Sequence, residues 1–114
     1  MLTSGDVVDL DLGAPTGREA GFVHPAVVIT AQRVLRRDPA VVHVVPLTST
    51  LRPFESEVRL DPDEGNGLAV TSAAQCQHLR SASVARVRAV RGNVGPLELA
   101  RLRDTVAMLL DIPT

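Results

Sequence analysis

A polar, glycine-bearing loop runs into the most hydrophobic strand candidate of the N-terminal half in the segment Gly21-Phe22-Val23-His24-Pro25-Ala26-Val27-Val28-Ile29-Thr30. Residues 25–30 predict a buried strand, and proline is tolerated at its first position because a missing N–H does least harm there. His24 stands directly before this proline. A rigid element should therefore hold His24 while its side chain still faces solvent, which makes it the first candidate for a chemical role.

Short hydrophobic runs on both sides of this segment predict a sheet. Residues 5–12 alternate between apolar and acidic side chains, which is typical of a strand with one wet face. Residues 41–47 are rich in valine and predict a second buried strand. Further strands are predicted at residues 57–60, 68–70, 73–79 and 84–90, with a turn at 61–67 and a long loop at 13–21.

The C-terminal segment predicts one amphipathic helix. Gly95-Pro96 opens it, because proline suits the first turn of a helix. Apolar residues then recur at spacings of three and four, at Leu99, Leu102, Val106 and Leu109 or Leu110. Several short strands followed by one such helix indicate a mainly β fold, a small curled antiparallel barrel with the helix packed on an outer face.

Composition limits the classes of function. The chain has 114 residues, so we expect one domain spanning residues 1–114. Its only aromatic residues are Phe22 and Phe54, so platforms for stacking single-stranded bases are scarce. The net charge is −1, and every one of the 12 basic residues is arginine. Residues 65–114 carry six of these against three acidic residues, whereas residues 1–64 carry six against ten.

Several features predict a cytoplasmic protein without cofactors. Cys76 is the only cysteine and forms no internal disulfide. No run reaches the roughly 18 apolar residues of a membrane span, and the first residues lack the pattern of a signal peptide. The chain has no Cys/His cluster with zinc spacing and no phosphate-binding glycine loop, so neither a metal nor a nucleotide cofactor is expected.

An ordered set of short motifs resembles the MazF/PemK/Kid family of toxin ribonucleases. The motifs extend over nearly the whole chain and include Gly5-Asp6-Val7-Val8, His24-Pro25-Ala26-Val27-Val28-Ile29, Val45-Pro46-Leu47-Thr48-Ser49, Pro53-Phe54-Glu55 and Gln77-His78-Leu79-Arg80-Ser81. The resemblance implies an SH3-like barrel that forms a homodimer. It also implies metal-independent cleavage of single-stranded RNA at short sequences, leaving 2′,3′-cyclic phosphate and 5′-hydroxyl ends. A cognate MazE-like antitoxin would silence the toxin by laying an extended segment over the RNA groove.

The resemblance also implies site residues. His24 stands where the family has an arginine, and an imidazole can serve as general acid or base near neutral pH but provides one phosphate clamp fewer. Thr48 matches the family's threonine and would hold the scissile phosphate. Gln77 stands where the family often has a carboxylate, and it reads a base edge but takes no proton. The expected RNA-contacting residues are Arg18, Glu19, Ser49, Arg52, Phe54, Gln77 and Arg80.

Structural interpretations remain open beside these functional ones. His24 and Thr48 are also compatible with a strand-opening residue and a strand-end hydroxyl without a chemical role. The valine run around His43 predicts that this histidine lies in the core or at an interface. Cys76 is expected to be a small buried hydrophobic residue. Three arginines alternate along a predicted strand. The preferred interpretation is a solvent-exposed strand face, and the second interpretation is a surface that binds RNA phosphates: Arg86, Arg88 and Arg91.

Two other functions remain open as well. The missing arginine and the low net charge are compatible with a family member that has lost cleavage or that blocks a protein such as DNA gyrase. They are also compatible with a barrel that binds nucleic acid without chemistry.

Overall fold

The computed structural model describes residues 1–13 and 23–113. The elements follow one another as β1 Asp6–Asp11, β2 Val23–Val28, α1 Gln32–Leu35, β3 Val41–Thr48, β4 Glu57–Leu60, β5 Ser72–Gln75, β6 Arg80–Ser83, β7 Val87–Asn93 and α2 Gly95–Leu109. Single 3-10 turns at Cys76–His78 and Val84–Arg86 precede β6 and β7. None of the helices in the described ranges is both long and apolar enough to cross a bilayer.

All pairings between the described strands are antiparallel, in the order β4-β5-β3-β2-β1-β7. β6 pairs with residues 41–44 of β3, and β5 pairs with Leu47 and Thr48 of the same strand. Both partners use the edge of β3 that faces away from β2, so the sheet bends at this strand and curls into a small SH3-like barrel. The predicted mainly β fold with a C-terminal helix is confirmed.

Two apolar clusters fill the two sides of the curled sheet. The first lies between the sheet and α2 and consists of Val7, Val27, Val45, Leu47, Val58, Leu60, Leu68, Ala74, Cys76, Val94, Leu99 and Leu102. The second lies beside α1 and consists of Val8, Leu10, Ala26, Val28, Leu35, Val42, Val44 and Ala82. Strands β1, β2 and β3 contribute to both clusters, because side chains alternate between the two faces of a strand.

The strand predicted at residues 68–70 is wrong. Asn66 is buried, and its side-chain oxygen accepts the backbone N–H of Leu68 at 3.0 Å. Gly67 has a φ of +69°, which turns the chain before any strand can start. Hydrogen bonds that would have joined a ladder are therefore satisfied within a turn.

Other boundaries also differ from the sequence prediction. The predicted strand 73–79 ends at Gln75, and the predicted strand 84–90 begins at Val87. β6, with the sequence Arg-Ser-Ala-Ser, was not predicted, because only Ala82 among its residues is buried. His43 is exposed and not in the core, because β3 turns Val42 and Val44 inward and His43 outward.

Candidate functional site

His24 of β2 and Thr48 of β3 lie at the same cleft. The pairing of β2 with β3 ends at Ala26 opposite Pro46, and His24 and Thr48 each lie two residues beyond that pair. Both residues line a cleft of about 230 Å³ at the end of the barrel. The fold thus brings to one cleft two residues that lie 24 positions apart in the sequence.

The cleft, which we call the mouth cleft, has mostly apolar walls. It is lined by His24, Pro25, Leu47, Thr48, Ser49, Leu68, Ala69, Val70, Ser72 and Arg91. Segment 68–70 forms part of the wall. Ser49 is exposed there, directly beside Thr48.

The hydroxyl group of Thr48 has a defined orientation. Its oxygen accepts the backbone N–H of Thr50 at 3.1 Å. A hydroxyl group carries one proton in addition to its accepting lone pairs, so the Thr48 proton remains available for an acceptor in the cleft. A phosphate oxygen is an acceptor of this kind.

A second group of polar side chains converges on Glu57 of β4. The Glu57 side chain is only 1% exposed and pairs with Arg52 at 2.5 Å. Its carboxylate also accepts the side-chain amides of Gln77 at 2.6 Å and Gln75 at 3.3 Å. The Arg52 hydrogen bond, helped by those from Gln77 and Gln75, holds the pKa of Glu57 below its usual range despite burial. Glu57 is therefore a fixed anion that orders three neighbours.

One of these neighbours also covers an aromatic ring. The guanidinium carbon of Arg52 lies 4.7 Å from the centre of the Phe54 ring, a cation–π distance. Phe54 is 50% exposed. The pair presents a flat surface of the kind on which a nucleobase stacks.

The Glu57 group lies on the same sheet face as Thr48. Thr48 pairs with Ala73, and Ala73 pairs with Arg59. Gln75, two residues beyond Ala73, pairs with Glu57 and therefore points to this same face. Because two residues of a strand span about 7 Å, the Glu57 group lies one cross-strand row away from the row that contains Thr48.

Two arginines of β7 occupy irregular positions in the sheet. Val7 pairs with Gly92 and Val8 with Val90, so Arg91 is the extra residue of a β-bulge. A second register shift makes Arg88 an extra residue in the same way. A bulge turns a side chain away from the regular alternation.

Each bulge arginine pairs with an aspartate of β1. Arg91 Nε lies 2.8 Å from Asp9 Oδ1, and Arg88 bonds to Asp11 at 2.5 Å. The Arg88 hydrogen bond holds the pKa of Asp11 below its usual range. Two of the three arginines on the predicted solvated face are therefore held in ion pairs, and one of these two, Arg91, also lines the mouth cleft.

The predicted site residues thus fall into separate groups. The structure brings His24, Thr48 and Ser49 together at the mouth cleft, and Arg52, Phe54 and Gln77 together around Glu57. Arg80 bonds to the Ser81 carbonyl at 3.4 Å on β6 and joins neither group. Arg18 and Glu19 lie outside the described residues.

Sequence reasoning missed Glu57 as a site residue, and it placed Arg91 on a solvated strand face or phosphate track but not at a cleft. Glu57 gives no local signal at all. No group of three His, Cys, Asp or Glu side chains suited to a metal ion occurs within residues 1–13 and 23–113.

Cys76 is the buried hydrophobe that the sequence predicts. Its sulfur lies 3.8 Å from the Leu102 carbonyl oxygen, and burial raises its pKa to about 11. The thiol therefore stays protonated at neutral pH and is a poor nucleophile.

Comparison with known proteins agrees with this architecture. Residues 3–110 match the family described as PemK-like, MazF-like toxin of type II toxin-antitoxin system. The chain is 32% identical over 117 residues to Endoribonuclease MazF9 of Mycobacterium tuberculosis (strain ATCC 25618 / H37Rv), with 98% of each covered.

Solved structures show the same fold. An endoribonuclease in complex with its cognate antitoxin from Mycobacterial species has a TM-score of 0.79 at 21% identity, covering 100% of this chain and 99% of that one. MazF (Form-I) from Deinococcus radiodurans has a TM-score of 0.70 at 27% identity, covering 95% and 94%. The chain belongs to the PemK/MazF family of toxins of type II toxin–antitoxin systems.

Proposed function

We propose that this protein is an endoribonuclease toxin that cuts single-stranded RNA at a short sequence, without a metal ion, in the cytoplasm. The observation that carries the proposal is the juxtaposition of His24 and Thr48 at the mouth cleft. The relative MazF9 is named an endoribonuclease, which supports the reaction class.

The reaction is the attack of a ribose 2′-hydroxyl on the adjacent phosphodiester. A base must take the 2′-proton, an acid must protonate the leaving 5′-oxygen, and donors must stabilise charge on the phosphate. We assign the proton transfer to His24 and the phosphate contact to the Thr48 hydroxyl. The products are a 2′,3′-cyclic phosphate and a 5′-hydroxyl end.

The rest of the substrate lies along the sheet face that carries Thr48. A base that follows the cut stacks on Phe54, whose exposed ring is held by Arg52. The Gln77 amide nitrogen is bound to Glu57, which leaves its oxygen to accept from a base edge. Ser49 extends the contact at the cleft, and Arg18, Glu19 and Arg80 remain predicted RNA contacts.

We propose two protein partners. The first is a cognate MazE-like antitoxin, as in the antitoxin complexes among the structural relatives. The second is another copy of the chain. Four large apolar side chains are exposed at and just beyond the end of α2, where the sequence predicts that the apolar helix face continues at Leu109 or Leu110: Met108, Leu109, Leu110 and Ile112. Exposed apolar patches of this kind often mark interfaces.

The first experiment treats purified protein with EDTA and incubates it with a long single-stranded RNA whose fragment ends are then mapped. Cuts at one short sequence with 5′-hydroxyl ends are expected. His24→Ala should lower cleavage by about 10²–10⁴ while the protein stays folded. His43→Ala is the matched control, since it removes an exposed histidine of β3 away from both groups of site residues. Unchanged cleavage by folded His24→Ala protein would refute the role of His24.

A barrel without nuclease activity is the second candidate, because His24 replaces the arginine of the family motif. Such a protein would bind nucleic acid or block DNA gyrase. Intact RNA under all conditions, together with inhibition in a purified supercoiling assay, would favour it.

A further inference from the structure

Arg91 is the only charged side chain of the mouth cleft among the described residues, apart from the titratable His24. Its position is fixed from two sides. The β-bulge at Arg91 turns the residue out of the regular alternation of β7. Gly67 packs so closely on it that a Cβ added at Gly67 would collide with the Arg91 carbonyl group. Arg91 is therefore held against the segment that forms one wall of the cleft.

The donors of Arg91 are only partly used. Its Nε lies 2.8 Å from Asp9 Oδ1, but this buried oxygen has no well-aligned hydrogen bond. The contact is therefore mainly electrostatic. No hydrogen bond within the described part of the chain uses the two terminal amino groups, which leaves them for a ligand in the cleft.

Three properties of the cleft favour a nucleobase over a phosphate as this ligand. Asp9 neutralises the charge of Arg91 and would repel a phosphate, whereas it leaves hydrogen bonding to a neutral base edge intact. The walls formed by Pro25, Leu47 and segment 68–70 are apolar and suit the faces of a ring. A volume of about 230 Å³ corresponds to about eight waters of about 30 Å³ each, which is room for one base.

We propose that the mouth cleft binds one guanine base next to the scissile phosphate, with Arg91 reading its O6 and N7 edge. This assignment rests on the proposed ribonuclease function. Arginine pairs with the two acceptors of guanine through two parallel N–H donors, whereas adenine presents an amino group at the corresponding place. In single-stranded RNA this edge is accessible to a side chain. Because His24 and Thr48 line the same cleft, the guanine should adjoin the cut.

The test measures base preference by binding, with cleavage removed. His24→Ala protein is titrated by fluorescence anisotropy into labelled hexauridylates that carry a single guanine, adenine or cytosine. We expect the guanine oligomer to bind about ten- to a hundredfold more tightly than the others. Replacing guanine by 7-deazaguanine, which lacks the N7 acceptor, should remove much of this preference.

The Arg91→Ala change in the same background should bring all oligomers to within about threefold of one another. The preference ratio is decisive, because loss of a phosphate contact would weaken all oligomers equally. Arg88→Ala is the control, since Arg88 also lies at a bulge of β7 and pairs with an aspartate but does not line the cleft. It should keep the preference. If Arg91→Ala unfolds because Asp9 loses its partner, the double change Asp9→Asn and Arg91→Ala removes the orphaned charge.

The outcomes separate this inference from the proposed function. Equal binding of all oligomers, or a guanine preference that persists in folded Arg91→Ala protein, overturns the guanine site. RNA cleavage by the wild type without guanine beside the cut also overturns it while the nuclease function stands. A guanine preference in a protein that cuts no RNA leaves the site in place and refutes the nuclease.

Discussion

The Gln77 side-chain amide donates a 2.6 Å hydrogen bond to the carboxylate of Glu57, 20 residues earlier in the chain. In the sequence, Gln77 stands where the family often has a carboxylate. In the structure, a carboxylate from β4 lies in contact with that position. Glu57 does not replace a general base, however, because Arg52 and two amides already occupy it and its pKa is lowered. Its role is to position Arg52 and Gln77.

The Glu57→Gln change should destabilise the protein and loosen this group. Hydrogen bonds to a charged partner contribute about 1.5–3 kcal/mol, so we expect the free energy of unfolding to fall by about 2 kcal/mol at pH 7. Urea unfolding checks this value. Asp61→Asn is the control, because the Arg59–Asp61 pair is exposed on both sides and should change stability by less than about 1 kcal/mol. Equal effects of both changes would contradict the positioning role.

The Glu57 group should also make stability depend on pH. A pKa lowered in the folded state means that the unfolded chain binds the proton more readily. The stabilisation is therefore fully present above the ordinary pKa of 4.5 and is lost as the pH falls through the lowered value. Unfolding free energies measured from pH 7 to pH 3 should fall more steeply for the wild type than for Glu57→Gln. Parallel curves for the two proteins would show that the partners of Glu57 do not stabilise its charged form in the folded state.

RNA cleavage should depend on the hydroxyl group of Thr48 and not on the shape of its side chain. Thr48→Val keeps the volume but removes the proton that the structure leaves available, so cleavage should fall by about 10²–10³. Thr48→Ser keeps a hydroxyl at the same atom and should retain cleavage within about tenfold of the wild type. Both variants are compared in single-turnover cleavage of one RNA. A Thr48→Val protein as active as Thr48→Ser would exclude the phosphate contact.

Substitution of Gly67 and Gly95 by alanine tests how closely Gly67 packs against β7. Both have positive φ values, +69° and +86°. A Cβ at Gly67 would clash with Arg91 backbone, whereas a Cβ at Gly95 would meet nothing within 4 Å. Gly95→Ala should therefore cost about 1–2 kcal/mol from strain alone, and Gly67→Ala clearly more. Thermal or urea unfolding ranks the two, and a smaller cost at Gly67 would contradict the close approach.

The exposed end of α2 should control association. Leu110→Asp places a charge in the apolar patch and should convert a dimer to a monomer in analytical ultracentrifugation. Leu97→Asp is the control, because Leu97 is 76% exposed at the opposite end of the same helix. A dimer that survives Leu110→Asp would place the interface on another surface.

Local pattern was sufficient for much of the fold. The valine-rich runs of β2 and β3, the acid alternation of β1 and the Gly95-Pro96 start of α2 are written in residue type and spacing, which determine burial within one element. The ordered motifs were sufficient for the family. Local pattern gave a wrong prediction at residues 68–70, because the turn at Asn66 and Gly67 takes up hydrogen bonds that a strand would have made. It also missed β6, because this strand buries only one residue.

The sequence by itself therefore determined the class of fold, the family and the candidates His24 and Thr48. Only the tertiary structure placed those two residues at one cleft, joined Glu57 to Gln77 and brought Arg91 to Asp9 and the mouth cleft. These relationships depend on strand register and on bulges that connect distant parts of the chain. A one-residue change of register would turn each of these side chains to the other face, and the register depends on both paired strands and the turn between them, not on the pattern of either strand alone.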